Sequence, residues 1–157
     1  MIAVDICNTL ADVNSVLEKY FGKIPEGSYH HPAVNADFFR FHPDIFREAL
    51  PLPKAAESVT RIALSERILY LTARPLEAKE ATIWFLEHYG FPKADILFST
   101  EKAKMAARYN FQRAIDDSPS EIVKYKNAGI PVAVYRQHYN RQFTGRFTWG
   151  EDIIYEI

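Results

Sequence analysis

The chain has 157 residues, 48% of them apolar and 25% charged, with a formal net charge of −1: an ordinary globular domain with no basic block for a nucleic-acid duplex to select. Its one cysteine, Cys7, excludes an internal disulfide and fits a reducing compartment. No run of about 18 apolar residues and no charged leader is present, so a membrane partner is not expected and a cytoplasmic location is.

The first apolar stretch, Ile2 to Val4 with Ile6, reads as a buried and parallel strand. Asp5 sits inside it. A buried carboxylate costs several kcal/mol unless it is paired. Asp5 therefore belongs at the carboxyl end of the strand, facing a ligand crevice, or caps the following helix. Val13, Val16, Leu17, Tyr20 and Phe21 fall at helical spacing, with Gly22 as the stop. A loop carrying His30 and His31 follows, where paired histidines are expected at the surface. Phe38, Phe39, Phe41 and Phe46 crowd the next stretch. Pro43 and Asp44 open a short helix to Leu50, and a further helix is expected over 55–63.

Ile68 to Thr72 is the second buried strand. The next segment is the clearest helix in the chain, with Ala81, Trp84, Phe85 and Tyr89 as its apolar stripe and Gly90 as its stop. Ile96 to Phe98 is the third strand, after which Thr100 can cap a helix beginning near Lys102. A fourth strand ends at Asp116 and Asp117. Ser118 or Ser120 caps the helix after it, and Val132 to Tyr135 is the fifth strand. The tail is expected to be loop and then a short helix packing Trp149, Ile153 and Ile154.

Strands alternating with helices predict an α/β fold with a Rossmann-like, five-stranded parallel sheet in a single domain over 1–157. The interval between the first two strands is too long for one crossover helix. It predicts a small, mostly helical cap within approximately 13–66. Nothing in the pattern specifies an oligomeric state.

In such a sheet all carboxyl ends lie on one face. Asp5, Cys7 and Thr9 gather there with Thr72, Arg74, Asp116 and Asp117, and Lys102 and Lys104 lie just past the third strand. Carboxylates alone in one cleft repel each other. A hard cation such as Mg²⁺, shared with a substrate phosphate, removes that conflict. A lysine and a threonine hydroxyl suit phosphoryl oxygens. The set points to phosphoryl transfer onto a carboxylate, with a small phosphorylated molecule as substrate. Arg74 can bind phosphate or pair with Asp116. Phe38 and Phe41 are the aromatics placed to line the cleft against a nucleobase. Arg136, Tyr139, Asn140 and Arg141 follow the fifth strand at the same face, to contact substrate or to hold the tail.

The motifs DICNT (Asp5 to Thr9), LTARP (Leu71 to Pro75), a lysine near Lys102 and IDDSPSE (Ile115 to Glu121) resemble the haloacid-dehalogenase-like superfamily. With YNR and Trp149 in the tail, the chain is most similar there to the 5'(3')-deoxyribonucleotidase-like group. The resemblance implies a Mg²⁺-dependent phosphatase, with nucleoside monophosphates as leading substrates. It implies Asp5 as nucleophile and Thr72 as a hydrogen-bond donor to the phosphoryl group. Lys102, or Lys104, would be the neutralising cation. Asp5, Asp117, Asp116 and the Cys7 carbonyl would surround the metal, with Asp116 bound directly or through water. Asn8, Thr9, Ala73 and Arg74 would lie on the substrate side, with Asn8 in a turn that usually takes glycine. Cys7 departs from the pattern, because the related phosphatases carry an acid–base aspartate there. The departure leaves a slow phosphatase, a stalled aspartyl-phosphate or a non-catalytic binder of a phosphorylated ligand or partner. Carbon–halogen or carbon–phosphorus hydrolysis is the remaining chemistry of the superfamily.

Overall fold

The computed structural model describes residues 1–35 and 37–157. Five parallel strands form one sheet: β1 (Ile2–Val4), β2 (Ile68–Thr72), β3 (Ile96–Phe98), β4 (Arg113–Asp116) and β5 (Val132–Val134), in the order β3-β2-β1-β4-β5. β1 is central, with Ala3 opposite Leu69 on one side and Ala114 on the other. Both edges of β1 are hydrogen-bonded and both faces are covered, which is why the strand is a continuous apolar run. Its side chains alternate between two cores. Ile2 and Val4 join Tyr70 and Ile115 on one face. Ala3 joins Leu69, Leu71, Val132 and Val134 on the other.

Among the described residues seven helices flank or cover the sheet: α1 (Val13–Phe21), α2 (Phe38–Phe41), α3 (Ile45–Glu48), α4 (Ala55–Ala63), α5 (Lys79–His88), α6 (Met105–Tyr109) and α7 (Pro119–Asn127). α1 begins where the Asp12 carboxylate accepts the Ser15 N–H at 3.1 Å. It ends at Gly22, whose φ of +84° a side chain would resist. α5 buries Ala81 and Phe85 with Thr82 and Leu86, whereas Trp84 is half-buried and stacks on His88.

Several boundaries differ from the sequence reading. The one-turn helix α2 precedes the expected helix, which itself covers only Ile45–Glu48. Ala49 is extended, two residues before Pro51. The backbone beyond it is drawn off to pair with the turn after β1, with Asp12 N–H donating to Leu50 O at 2.8 Å and Leu52 N–H to Leu10 O at 2.7 Å. Thr100 does not cap the segment after β3. The Ser99 hydroxyl accepts the Glu101 N–H at 3.1 Å, and a 3-10 turn over Lys102–Lys104 leads into α6. Neither Ser118 nor Ser120 caps α7 through its side chain, since the two hydroxyls bond each other at 3.1 Å and Pro119 opens the helix. The tail forms no α-helix. Glu156 exchanges backbone hydrogen bonds with Val132 at 2.9 and 3.1 Å, so the last residues run extended along the edge of β5 and leave Ile154 exposed. The neighbouring β-branched pair Ile153 and Ile154 favours that extended path over a helix. No helix among the described residues is long and apolar enough to cross a membrane.

Candidate active site

The chain runs β1, β2, β3 toward one edge of the sheet and then β4, β5 toward the other. The carboxyl ends of β1 and β4 therefore part at the topological switch point, where open α/β sheets bind ligands. Asp5 leaves β1 there, with its N–H bonded to Ile115 O at 2.9 Å. Asp116 and Asp117 leave β4. Oxygen atoms of the three carboxylates lie within 4.8 Å of one another, and all three residues are buried.

One cation answers them. Lys102 Nζ donates to Asp5 Oδ1 at 2.5 Å and to Asp116 Oδ2 at 2.8 Å, from a side chain only 4% exposed. Its third proton points to no protein acceptor among the described residues. The Thr9 hydroxyl lies 2.7 Å from Asp117 Oδ1 and 3.1 Å from Asp5 Oδ2, sharing its one proton between them. The Tyr139 hydroxyl donates to Asp117 Oδ2. Thr72 Oγ1 accepts the Arg74 N–H at 3.2 Å, which leaves its own proton free for a ligand.

One ammonium does not balance three buried carboxylates. Burial pushes Asp116 up to about 7 even though Lys102 pulls the other way, and Asp5 adds to the rise. Burial and the charges of Asp5 and Asp116 hold Asp117 well above the usual carboxylate range. Burial opposes the charged form of Lys102, but Asp116 and Asp5 outweigh it and hold the ammonium well above its ordinary pKa. An all-oxygen, net-negative cluster of this kind fits a hard divalent cation. The Cys7 carbonyl beside it accepts no hydrogen bond from the described residues.

The turn after β1 is held from behind. Asn8 has φ +58°, the left-handed conformation that asparagine tolerates, and its carbonyl accepts Gln137 Nε2 at 2.7 Å. Trp149 Nε1 donates to Thr9 O at 2.6 Å. Asn140 Nδ2 donates to Asp117 O at 2.9 Å and Tyr135 O at 2.8 Å. Tyr139, Asn140 and Trp149 thus fix the loops that carry the carboxylates. Arg136 and Arg141 stay outside the site, on Glu151 and Glu26.

A cavity of about 920 Å³ opens above Asp5. Its floor includes Cys7, Asn8, Thr72, Ala73, Arg74 and Lys102, and its upper wall includes Leu17, Tyr29, His30, Phe39 and Phe46 from between β1 and β2. The structure corrects several placements. Phe38 and Phe41 border a separate depression with Tyr20 and His42, and Phe41 is 78% exposed. The helix they sit on is a single turn, and its inward register brings Phe39 onto Phe46 instead. Lys104 points to solvent and pairs with Glu101, because residues two apart on a 3-10 turn leave it in different directions. Among the described residues Arg74 pairs with neither Asp116 nor any other carboxylate. Its Nε donates to Cys7 Sγ at 3.0 Å, its Nη1 to Thr82 Oγ1 at 3.0 Å, and its plane lies 4.0 Å over Phe46. Thr9 is wholly buried beneath the carboxylates and serves them, leaving the cavity wall to its neighbours. His31 stacks on Phe21. Tyr29, Phe39 and His30 are wall residues that periodicity could not select, since they sit in irregular chain or a one-turn helix.

Solved structures of similar fold include a haloacid dehalogenase-like family hydrolase from Streptococcus pneumoniae, 15% identical, with a TM-score of 0.60 over 90% of this chain and 86% of that one. CbbY from Rhodobacter sphaeroides, solved with phosphate, is 16% identical with a TM-score of 0.57 over 92% and 90%. An L-2-haloacid dehalogenase from Xanthobacter autotrophicus, with chloropropionic acid covalently bound, is 13% identical with a TM-score of 0.57 over 88% and 79%. Comparison with curated proteins finds no match. The model of one family, described as 5' nucleotidase, deoxy (pyrimidine), cytosolic type C protein, matches residues 7–155. With the match spanning nearly the whole chain and the haloacid-dehalogenase-like sheet beneath it, the chain belongs to this nucleotidase family and is a haloacid-dehalogenase-like hydrolase of the phosphatase kind.

Proposed function

We propose that the chain is a Mg²⁺-dependent phosphatase of small phosphorylated metabolites, nucleoside monophosphates foremost, acting through an aspartyl-phosphate on Asp5. The observation that carries this reading is Asp5 itself. It is a buried carboxylate at the switch point, held between Lys102 and Thr9 at the floor of a cavity large enough for a nucleotide. Asp5 Oδ attacks phosphorus. Thr72 donates its free hydroxyl proton to a phosphoryl oxygen, and Lys102 balances the charge carried by Asp5 and the phosphoryl group. Asp5, Asp117, Asp116 and the Cys7 carbonyl would hold Mg²⁺, which supplies Lewis-acid neutralisation of phosphoryl charge. Residues within 13–66 form the cap, with Tyr29, Phe39 and Phe46 against the nucleoside. The single cysteine supports a cytoplasmic setting. Incubation with a panel of deoxynucleoside and nucleoside 5'-monophosphates and sugar phosphates, with and without Mg²⁺, tests the reading. Mg²⁺-dependent phosphate release is expected, and none across the panel rejects it.

The metal part has a separate readout. Asp116 and Asp117 are both raised above their unfolded values, so between about pH 4 and about 7 the folded state holds more protons than the unfolded one. Stability of the metal-free protein therefore falls as pH rises through that window. Mg²⁺ favours the ionised cluster, so its stabilising effect grows over the same window. Melting curves in chelator and in Mg²⁺, from pH 5 to 8, read both slopes. Parallel curves at every pH would reject a metal at these carboxylates.

Cys7 favours a second reading, a binder of phosphorylated ligands with its acid–base group lost. Burial pushes the Cys7 thiol up, and Arg74 Nε is already on its sulfur. Cys7→Asp separates the readings. Restoring a missing acid–base group gains about 10²–10⁴-fold in kcat, whereas a gain below about tenfold is expected if the proton is carried by another residue. The smaller gain is the expected result.

A further inference from the structure

We infer that Tyr29 donates the proton that the departing oxygen of the substrate needs, in the place Cys7 leaves open; the inference rests on the phosphatase reading above. Tyr29 lies between α1 and α2, and its backbone is tied to the catalytic turn. Asn14 Nδ2 donates to Tyr29 O at 2.8 Å, while the Asn14 N–H donates to Asn8 Oδ1 at 2.9 Å. The Tyr29 ring meets Tyr139 edge-on at 5.1 Å, and Tyr139 in turn holds Asp117. His30 braces the same ring at 4.9 Å. The side chain lines the cavity that also contains Asp5, Cys7 and Lys102. Its hydroxyl bonds to no group among the described residues, and burial first, then the charges of Asp117 and Asp5, push the phenol well above its usual range. A half-buried phenol on the wall of the cavity that holds Asp5 and Lys102, with its hydroxyl unengaged, is open to the substrate's departing oxygen.

The other proton carriers on the wall are less well placed. Cys7 sulfur is engaged by Arg74 Nε. The Thr72 hydroxyl faces phosphoryl oxygens from β2. His30 braces the Tyr29 ring and makes no hydrogen bond to the carboxylates among the described residues.

The reaction then balances without a carboxylate at position 7. A bond forms between Asp5 Oδ and phosphorus as the bond from phosphorus to the ester oxygen breaks. The electron pair stays on that oxygen, which takes the Tyr29 proton and leaves as the alcohol. Water next attacks phosphorus and gives its proton to the Tyr29 oxygen. The bond from phosphorus to Asp5 Oδ breaks, which restores the carboxylate and releases phosphate. Lys102 offsets the transient charge on the phenolate.

The test is a leaving-group series: aryl phosphates from 4-nitrophenyl to 4-methoxyphenyl phosphate, then an alkyl phosphate, with Mg²⁺, on the native protein, Tyr29→Phe and Tyr29→Phe with Cys7→Asp. Tyr29→Phe keeps the ring contacts, and an unchanged melting temperature confirms the fold. It is expected to lose about 10²-fold in kcat/KM, which reads the step in which the leaving group departs, on the alkyl phosphate and less than threefold on 4-nitrophenyl phosphate, whose leaving group needs no proton. The dependence of log kcat/KM on leaving-group acidity steepens, and Cys7→Asp, whose carboxylate Arg74 would hold ionised, flattens it only in part. A purely structural role would lower all substrates together and leave the slope unchanged, which overturns the inference. Failure of the native protein on every substrate, 4-nitrophenyl phosphate included, overturns the phosphatase reading and this one with it. Native activity with an unaltered slope in Tyr29→Phe overturns this one alone.

Discussion

Asp5→Asn is expected to lower kcat by at least about 10⁴-fold, to below detection in a routine phosphate-release assay, while leaving the metal-free protein as stable as the native one or more so. The two effects have one origin. Asp5 is the carboxylate nearest Lys102, and the amide that replaces it cannot attack phosphorus. The same replacement removes one negative charge from a buried cluster in which Asp5 raises both Asp116 and Asp117. The asparagine carbonyl still accepts from Lys102, and its amide can donate to Thr9 Oγ1, which now lies 3.1 Å from Asp5 Oδ2. Function here is held against stability, as is common where a site concentrates like charge. The measurement pairs initial rates with thermal melts in chelator and in Mg²⁺. Residual activity within tenfold of native would remove Asp5 as nucleophile. A melting temperature well below native would mean that the carboxylate is chiefly structural.

The sheet was legible because each strand is an apolar run ended by a turn signal. β2 and β3 and helices α1 and α4 have the boundaries that periodicity and glycine stops mark. Asp5 was legible for the same reason, since a charge inside such a run demands a partner. The cap was not. Phe38, Phe39 and Phe41 are equivalent by composition, and a single helical turn is too short for a period to distinguish inner from outer positions. The choice between Phe39 and its neighbours is made by Phe46, a residue of α3 that stacks on it at 5.0 Å. Tyr29 shows the same limit. Its place on the cavity wall comes from two hydrogen bonds of Asn14 and from the edge of Tyr139, more than a hundred residues away. The tail helix failed for a different reason. Trp149 is buried as expected, but by a hydrogen bond to Thr9 O, and the residues after it gain more by pairing with the exposed edge of β5 than by forming a short helix.

The Arg74 contact explains why a thiol is tolerated at position 7. Nε and Nη2 share one edge of the guanidinium, the edge that ordinarily grips two oxygens. Here Nε meets Cys7 Sγ, and Nη2 is buried without a partner among the described residues. Stacking over Phe46 and the bond to Thr82 keep the guanidinium in place. A carboxylate in Cys7→Asp would fill both prongs, and the ion pair would stabilise its charged form. The new aspartate would then be a reluctant acid, which is a second reason to expect only a modest gain from that substitution.

Lys102→Met is expected to cost about 3–5 kcal/mol of stability at neutral pH in chelator, together with nearly all activity. Methionine matches the length of the side chain but leaves Asp5 and Asp116 buried with no counter-charge. For a domain of this size each kcal/mol lowers the melting temperature by about 2–4 °C, so a fall of roughly 6–20 °C is expected. The loss shrinks at pH 5, where Asp116, raised to about 7, is protonated and no longer needs the ammonium. Adding Asp5→Asn to Lys102→Met removes the second charge as well, so the double variant should be more stable than Lys102→Met alone. That is a non-additive result, diagnostic of direct coupling. Lys104→Met is the control. Its ammonium is 72% exposed and pairs only with the exposed Glu101, a contact worth less than about 1 kcal/mol, and its rates and melting temperature should match the native protein. Equal effects of the two substitutions would mean that the buried ion pair contributes nothing specific. An effect confined to Lys102, largest at neutral pH and relieved by Asp5→Asn, is what a lone cation among three buried carboxylates requires.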